Sequence, residues 1–333
     1  MSVNVAVVGA TGAVGEEFLR VLAERDFPIR NLKLLASARS AGKTVTFKGQ
    51  TYTIEELTKD SFEDIQIALF SAGGSISREF APAAVKSGAV VVDNSSAFRM
   101  KDGVPLVVPE VNPEQIHKHN GLIANPNCST IIMNVPIWPL HRANKIKRLV
   151  VSTYQAVSGA GAWGLYELEK QQKDFAAGNQ ITSEKFPHQI FNNLFSHNTT
   201  IGDDGYNEEE TKMVKETRKI FADPKFMLTA TCIRVPIPRA HCESINIEFT
   251  QPITPDEVRA ILSKSPGVKI VDDPQSNTFP MPLAASGQDL VLVGRIRQDI
   301  SRDDGRGIEL FVSGDQIRKG AATNAVQIAE KLV

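Results

Sequence analysis

Cysteine is scarce in this chain of 333 residues, with only Cys128, Cys232 and Cys242. So small and odd a number in a long chain excludes a disulfide framework and fits a reducing compartment, which leaves a reactive thiol open as chemistry. The spacing of Cys232 and Cys242 matches no common zinc pattern, so both are read as structural and no metal is expected. Long apolar runs are missing as well. The opening stretch, Val3 to Val8, is six residues and runs straight into a glycine turn, too short for a secretory segment or a membrane span. A cytoplasmic protein with no membrane partner is the expectation. Charge of one sign is lacking too: 37 Lys and Arg against 38 Asp and Glu give a net charge of −1, so nucleic acid is not an expected partner. Neither internal repeats nor a low-complexity linker interrupts the chain.

What is present is enough apolar residue, 42%, to build two cores, and the length favours two domains. Through residue 93, short β-rich runs alternate with helical stretches: Val3 to Val8, a helix over Glu16 to Glu24, then Leu32 to Ala36, Ile67 to Phe70 and Val90 to Val92. That order predicts βαβ units on a parallel sheet. Alternation over Lys43 to Leu57 suggests an extra antiparallel excursion. From about Lys145 longer alternating runs, including Leu149 to Val157, Leu228 to Val235, Ile245 to Thr250, Leu290 to Ile296 and Ile308 to Val312, predict a mostly antiparallel sheet. Helices at Leu165 to Ala176 and Glu208 to Phe221 make that half α+β. The last twenty residues, from Gly314 and Asp315 through Ala321 to Leu332, read as one closing helix. The fold expected is therefore α/β, with a Rossmann-type dinucleotide domain over 1–127, completed by 314–333, and an α+β catalytic and dimerisation domain over 128–313.

Between the first strand and first helix lies Gly9-Ala-Thr11-Gly12-Ala13-Val14-Gly15. Glycines there permit a tight turn and bring backbone N–H groups against a pyrophosphate at a helix N-terminus. The G-x-x-G-x-x-G spacing differs by one residue from the commonest fingerprint, and a glycine turn without ligand is the alternative. The second strand ends in Ala36-Ser37-Ala38-Arg39-Ser40. No carboxylate is available for a ribose 2′-hydroxyl, whereas Arg39 and Ser40 suit a 2′-phosphate, so the cofactor expected is NADP.

Asn125-Pro126-Asn127-Cys128-Ser129 precedes an apolar helical run, which sets Cys128 at or beside a helix N-terminus. The partial positive charge there favours a thiolate, and the same turn offers N–H groups to an oxyanion. An acid/base partner is also required. Of six histidines, His117, His119, His141, His188 and His197 lie among polar, surface-like residues. His241 differs, because Arg234-Val-Pro-Ile-Pro-Arg239-Ala-His241 is a strand leading into a proline-stiffened turn that could fix the ring beside two arginines.

Assembled in order, these blocks resemble the aspartate-semialdehyde dehydrogenase family over essentially the whole chain. The resemblance rests on Gly9 to Gly15, Ser37 to Lys43, Asp93-Asn-Ser-Ser-Ala-Phe-Arg99, Asn125-Pro-Asn-Cys128-Ser, Tyr154-Gln155-Ala-Val-Ser158-Gly159, Glu208-Glu-Glu-Thr-Lys212 and Arg234 to His241. It implies NADPH-dependent conversion of L-aspartyl 4-phosphate to L-aspartate 4-semialdehyde, a step toward lysine, methionine and threonine. By that resemblance Cys128 forms a thioester with loss of phosphate, with Asn127 in the same catalytic block, and His241 is the acid/base. Gln155 orients substrate, and Ser158-Gly159 forms a nicotinamide-contacting turn. Arg234 grips the α-carboxylate, Glu209 faces the amino group, Arg99 and Lys212 bind phosphate, and Gln316 contacts the cofactor. A homodimer or homotetramer is implied.

An amino-acid phosphate carries two anionic groups and one cation, which asks for separated positive charges and one carboxylate, as this set supplies. Glutamates at a helix start are also favoured simply by the helix dipole, so Glu209 has a structural explanation as well. The enzymatic rivals are N-acetyl-glutamyl-phosphate reductase, against which Asn127 and Glu209 speak, and glyceraldehyde-3-phosphate dehydrogenase, whose acid after the second strand is missing. A catalytically silent binding module is the rival from another class, and it would be marked by loss of the nucleophile.

Overall fold

A computed structural model describes residues 2–333, and the chain forms two compact units, one reaching Asn127 and resuming at Gly320, the other running from Cys128 to Lys319. In the first unit β1 (Val3–Val8) leads through the glycine turn into α1 (Ala13–Glu24), followed by β2 (Ile29–Ala36), β3 (Thr44–Phe47), β4 (Gln50–Glu56), β5 (Ile67–Phe70), α2 (Gly74–Lys86), β6 (Val90–Asp93) and β7 (Leu122–Ala124). The sheet order is β3-β4-β2-β1-β5-β6-β7, parallel throughout except for the β3/β4 hairpin. Val5 to Val8 and Ile67 to Phe70 are buried on both faces, which is why these strands are continuous apolar runs. On α1 Phe18, Leu19, Val21 and Leu22 are buried, each contributing about 1.5–3 kcal/mol of transfer free energy. Strand order reverses at β1, so the crevice beyond its carboxyl end, where the glycine turn sits, is the place such sheets bind ligands.

The second unit opens with α3 (Cys128–Ala143), β8 (Ile146–Gln155), α4 (Ala162–Ala176), β9 (Phe195–Ser196), α5 (Glu208–Ile220), β10 (Leu228–Arg234) and β11 (His241–Phe249). It continues with α6 (Pro255–Leu262), β12 (Val268–Ile270), α7 (Pro282–Ala285), β13 (Val291–Gln298) and β14 (Gly307–Gly314). The order β12-β13-β14-β11-β8-β10-β9 is mostly antiparallel, with β8/β10 and β12/β13 parallel. One face lies under α3, α5 and α6, and its side chains are buried row by row. On the other face Tyr154, Thr231, Ser244 and Asn246 keep some exposure. Ser129 to Ile137 on α3 are all buried, so this helix is packed on every side rather than striped. Among the described residues no helix is long and apolar enough to cross a membrane.

Several boundaries shift from expectation, the first unit resuming at Gly320 rather than 314 among them, and two shifts bear on the site. The strand expected to begin at Ile245 begins at His241, because His241, Cys242 and Glu243 are polar in type yet fully paired with β8 and β14. The single closing helix resolves into three pieces. Gly314 ends β14 opposite His241, a π-helical turn spans Arg318–Ala322, and the α-helix is Thr323–Glu330. Ala322, Ala325, Val326, Ile328 and Ala329 of that last stretch are buried in the core that holds Val5, Val7, Phe18 and Leu22, all within the first unit.

Candidate active site

The glycine turn is built for close approach. Gly9 has φ +86°, and a Cβ there would stand 2.4 Å from the Ser71 carbonyl oxygen, while one on Gly15 would stand 2.1 Å from that of Gly9. Neither position accepts a side chain, so backbone and helix meet directly. Gly12 caps α1 with no side-chain bond, leaving the helix N-terminus to an anion, and Thr11, Ala13 and Val14 complete the turn. Past β2, Arg39 is exposed and Ser40 buried on a short 3-10 turn, with no carboxylate between Ala36 and Ser40. These residues fit a dinucleotide carrying a 2′-phosphate. Arg99, also in the first unit, is nearly buried; its Nε donates to the Asn125 carbonyl at 2.9 Å and its Nη2 to that of Asn94 at 3.0 Å. Asn127 is the last residue before the chain leaves this unit and is buried.

The second unit gathers the remaining charged candidates around one end of its sheet. Cys128 is the first residue of α3, where the helix dipole favours a thiolate. Its Sγ lies 3.5 Å from His241 Nε2. His241 is fully buried, and its Nδ1 accepts the Ala156 N–H at 3.0 Å, which assigns the ring proton to Nε2, facing the sulfur. Burial, with the nearby Arg234 charge assisting, pushes the His241 pKa down to about 3. The ring is therefore a neutral imidazole that presents an N–H to the reacting centre.

Sheet register aligns the partners. Arg234 pairs with Gln155 and His241 with Gly314, so arginine, glutamine and histidine project from neighbouring strands in one row. Gln155 Nε2 donates to Ser129 Oγ at 2.6 Å and to Glu209 Oε1 at 3.1 Å, while its Oε1 has no partner among the described residues. A buried amide oxygen without a partner costs about 1–3 kcal/mol, a price reasonable where a substrate donor completes it. Lys212 Nζ lies 3.6 Å from Glu209 and 3.8 Å from Glu208.

The three glutamates divide their work. Glu210 forms a capping box with Asn207 and accepts the Cys232 N–H at 2.9 Å, Glu208 is exposed, and Glu209 is buried against Gln155. The helix-start preference thus explains Glu210, and Glu209 is left for the pocket.

Arg234 is nearly buried; its Nη1 donates to the Ala156 carbonyl at 2.7 Å and its Nη2 to His197 Nε2 at 2.7 Å. Its Nε has no partner among the described residues. His197, grouped by sequence with the surface histidines, is thus part of the site, delivered by the two-residue strand β9. No local signal marks so short a strand. Gly159 lies against this cluster, where a Cβ would meet Arg234 Nη1 at 2.9 Å and the His241 ring at 3.3 Å. Gln316 is committed inside the unit: its Nε2 donates to Ser158 Oγ, and its Oε1 accepts the Ala240 N–H at 2.8 Å. It braces the Ser158-Gly159 turn against the residue before His241. Cys232 and Cys242 are buried free thiols, burial raising the first strongly and the second to about 11, in keeping with a structural role.

Comparison with known proteins adds independent findings. The model of the semialdehyde dehydrogenase NAD binding domain matches residues 4–119, and that of the semialdehyde dehydrogenase dimerisation domain matches residues 137–319. The chain is 55% identical to an aspartate-semialdehyde dehydrogenase of Synechocystis sp., covering 99% of this chain and 97% of that one, and 54% identical to one of Aquifex aeolicus, covering 100% and 98%. Among solved structures, aspartate semialdehyde dehydrogenase II of Vibrio cholerae complexed with ASA superposes with TM-score 0.97 at 46% identity, covering 100% of this chain and 98% of that one. The Candida albicans enzyme with NADP superposes with TM-score 0.77 at 25% identity, covering 99% and 98%.

Proposed function

The chain belongs to the aspartate-semialdehyde dehydrogenase family, and from that premise we propose how its residues divide the work of reducing L-aspartyl 4-phosphate to L-aspartate 4-semialdehyde. The enzyme is an NADP-dependent oxidoreductase. What carries the assignment of roles is the 3.5 Å approach of Cys128 Sγ to His241 Nε2, with Arg234 and Gln155 in the same row of the sheet.

Cys128, as the thiolate favoured at the start of α3, bonds through Sγ to the acyl carbon, the carbonyl π electrons move to its oxygen, and their return breaks the C–O bond to phosphate, leaving a thioester. N–H groups at the start of α3 stabilise the transient oxyanion, and the His241 Nε2–H stands beside it as a donor. The Gly9 to Val14 turn would hold the cofactor, with Arg39 and Ser40 available to a 2′-phosphate, and NADPH bound there would supply the hydride that reduces the thioester. As the C–S bond then breaks, the electron pair returns to Cys128 as thiolate. Arg234 binds the α-carboxylate through guanidinium donors not committed to Ala156 and His197. Glu209 receives the α-ammonium, and Gln155 orients the substrate between them. Arg99 and Lys212 bind the phosphate, Asn127 supports the nucleophile's turn, Ser158 and Gly159 form the nicotinamide side of the pocket, and Gln316 holds that turn.

The second unit serves dimerisation as well. Its sheet face opposite the catalytic row carries a largely apolar cavity of about 730 Å³, lined by Tyr154, Cys242, Phe279, Met281 and Phe311, and the matching domain model carries the description of a dimerisation domain. A homodimer, or a tetramer of two such dimers, buries that surface. The three cysteines, none of them in a disulfide among the described residues, support a cytoplasmic location.

The test is phosphate-dependent reduction of NADP by L-aspartate 4-semialdehyde, run beside N-acetyl-glutamate semialdehyde and with NAD replacing NADP. Turnover with the first substrate alone is expected. Turnover only with the acetylated one would overturn the role of Glu209, and silence with both would favour a binding module.

A further inference from the structure

We propose that His197 is a positioning residue for carboxylate recognition, a neutral acceptor that fixes the plane of the Arg234 guanidinium and ties it, through Thr199, to the start of α5. The inference rests on Arg234 being the carboxylate-binding group, as proposed above.

Arg234 can only donate, so in its 2.7 Å contact with Nη2 the His197 Nε2 is the acceptor. A neutral ring accepting at Nε2 carries its proton on Nδ1, and Nδ1 faces Thr199 Oγ1 at 3.3 Å. The same hydroxyl oxygen accepts the Glu209 N–H at 3.4 Å. One chain of contacts therefore links the group proposed for the substrate carboxylate to the backbone of the residue proposed for its ammonium. Below it, the backbone N–H of His197 donates to the Cys232 carbonyl at 2.8 Å, and Phe195 pairs with Arg234, so the backbone that carries the imidazole is anchored to the strand that bears the arginine.

The residue type matters. A carboxylate at this position would hold the guanidinium equally well but would neutralise it, competing with the substrate's own carboxylate. An imidazole supplies a lone pair without a charge. It stays neutral because burial, supplemented by Arg234 and Lys212 and opposed by Glu209, pushes its pKa down to about 4. With Nη1 fixed by Ala156 and Nη2 by His197, Arg234 has its fork geometry set before substrate arrives. Three of its five N–H donors, that of Nε among them, are not used in these two bonds.

The experiment measures, in the semialdehyde-oxidising direction, the separate KM values for L-aspartate 4-semialdehyde, inorganic phosphate and NADP in His197→Leu, His197→Gln and His197→Glu, with Arg234→Lys alongside. His197→Leu should raise the semialdehyde KM about tenfold or more, the scale of one lost hydrogen bond to a charged group, with the other two unchanged. His197→Gln, which restores a neutral acceptor, should recover most of it, and His197→Glu should not. If the leucine variant fails to fold, the contrast between glutamine and glutamate decides, and equal KM values in those two overturn the proposal. An unchanged semialdehyde KM in His197→Leu with a raised one in Arg234→Lys also refutes the role of His197 while sparing Arg234. No change in Arg234→Lys would remove the carboxylate assignment itself. A parallel rise for phosphate and semialdehyde in His197→Leu would mark a structural residue and refute positioning.

Discussion

Replacing Glu243 by glutamine should make the protein's stability less dependent on pH, and by a calculable amount. Glu243 lies in the row directly beneath the catalytic one, paired with Thr153 on β8 and Val312 on β14, and it is fully buried. Neither carboxyl oxygen has a hydrogen-bond partner among the described residues, and burial raises its pKa well above the ordinary carboxyl value. With the folded pKa above the unfolded one, the full stability is present below the unfolded value and is lost as pH rises toward the folded value. Over that window the unfolded chain releases a proton that the folded chain retains. The loss is about 1.4 kcal/mol for each pH unit over which the buried carboxyl stays protonated.

Glutamine is isosteric and has no such proton, so the two proteins should be nearly equal below about pH 4 and diverge toward pH 7. With a urea slope of about 2 kcal/mol per molar, the midpoint gap should widen by about 0.7 M per pH unit. Tryptophan fluorescence reports the correct region, because Trp138 on α3 and Trp163 on α4 are the two tryptophans of the chain and both lie in the second unit. Parallel pH profiles for the two proteins would refute the assignment of Glu243 as a buried neutral acid.

Three further outcomes follow from the geometry of the site. Cys128→Ala should abolish turnover while leaving NADP affinity unchanged by fluorescence titration; residual turnover at a sizeable fraction of wild type would exclude the thioester. Gly159→Ala places a methyl 2.9 Å from Arg234 Nη1, and because this glycine is not in the left-handed region the fold should survive. Overpacking of about 1–3 kcal/mol should then lower kcat/KM by about ten- to a hundredfold with little change in melting temperature, and an unaltered kcat/KM would show that the pocket can yield. Gly15→Ala drives a methyl into the Gly9 carbonyl, so NADP affinity should fall steeply in direct binding measurements; wild-type affinity would mean that the turn can relax without cost.

Much of this architecture is written in local pattern. The parallel strands are continuous apolar runs because helices cover them, the glycine turn is where backbone must touch backbone, and Cys128 stands at a helix start flanked by capping residue types. His241 was marked by the prolines before it, and the structure adds Ala240 at φ +70° as the pivot that turns the ring toward Cys128. His197 left no comparable trace: it meets Arg234 across 37 residues, through a strand of two residues with no periodicity to detect. Glu243 was hidden for the opposite reason, since a glutamate in a strand suggests a solvent face and only the register reveals that it shares a side with His241. The closing segment misled because its helix-forming composition extends back over residues that pairing with β11 commits to a strand.

The return of residues 320–333 to the first unit also orders events during synthesis. Residues 1–127 leave the ribosome before the second unit, yet their core lacks Ala322, Ala325, Val326, Ile328 and Ala329 until residues 320–333 are made. At about 5–20 residues per second, the intervening segment 128–319 takes roughly 10–40 s to emerge. For that interval the nascent dinucleotide unit is an open sheet with an uncovered apolar face, while the catalytic unit, though begun later, has all of its own strands in hand first. The strands of the dinucleotide unit thus wait for a segment translated after the whole of the catalytic unit, and through that interval they stand open to chaperones and to misassociation.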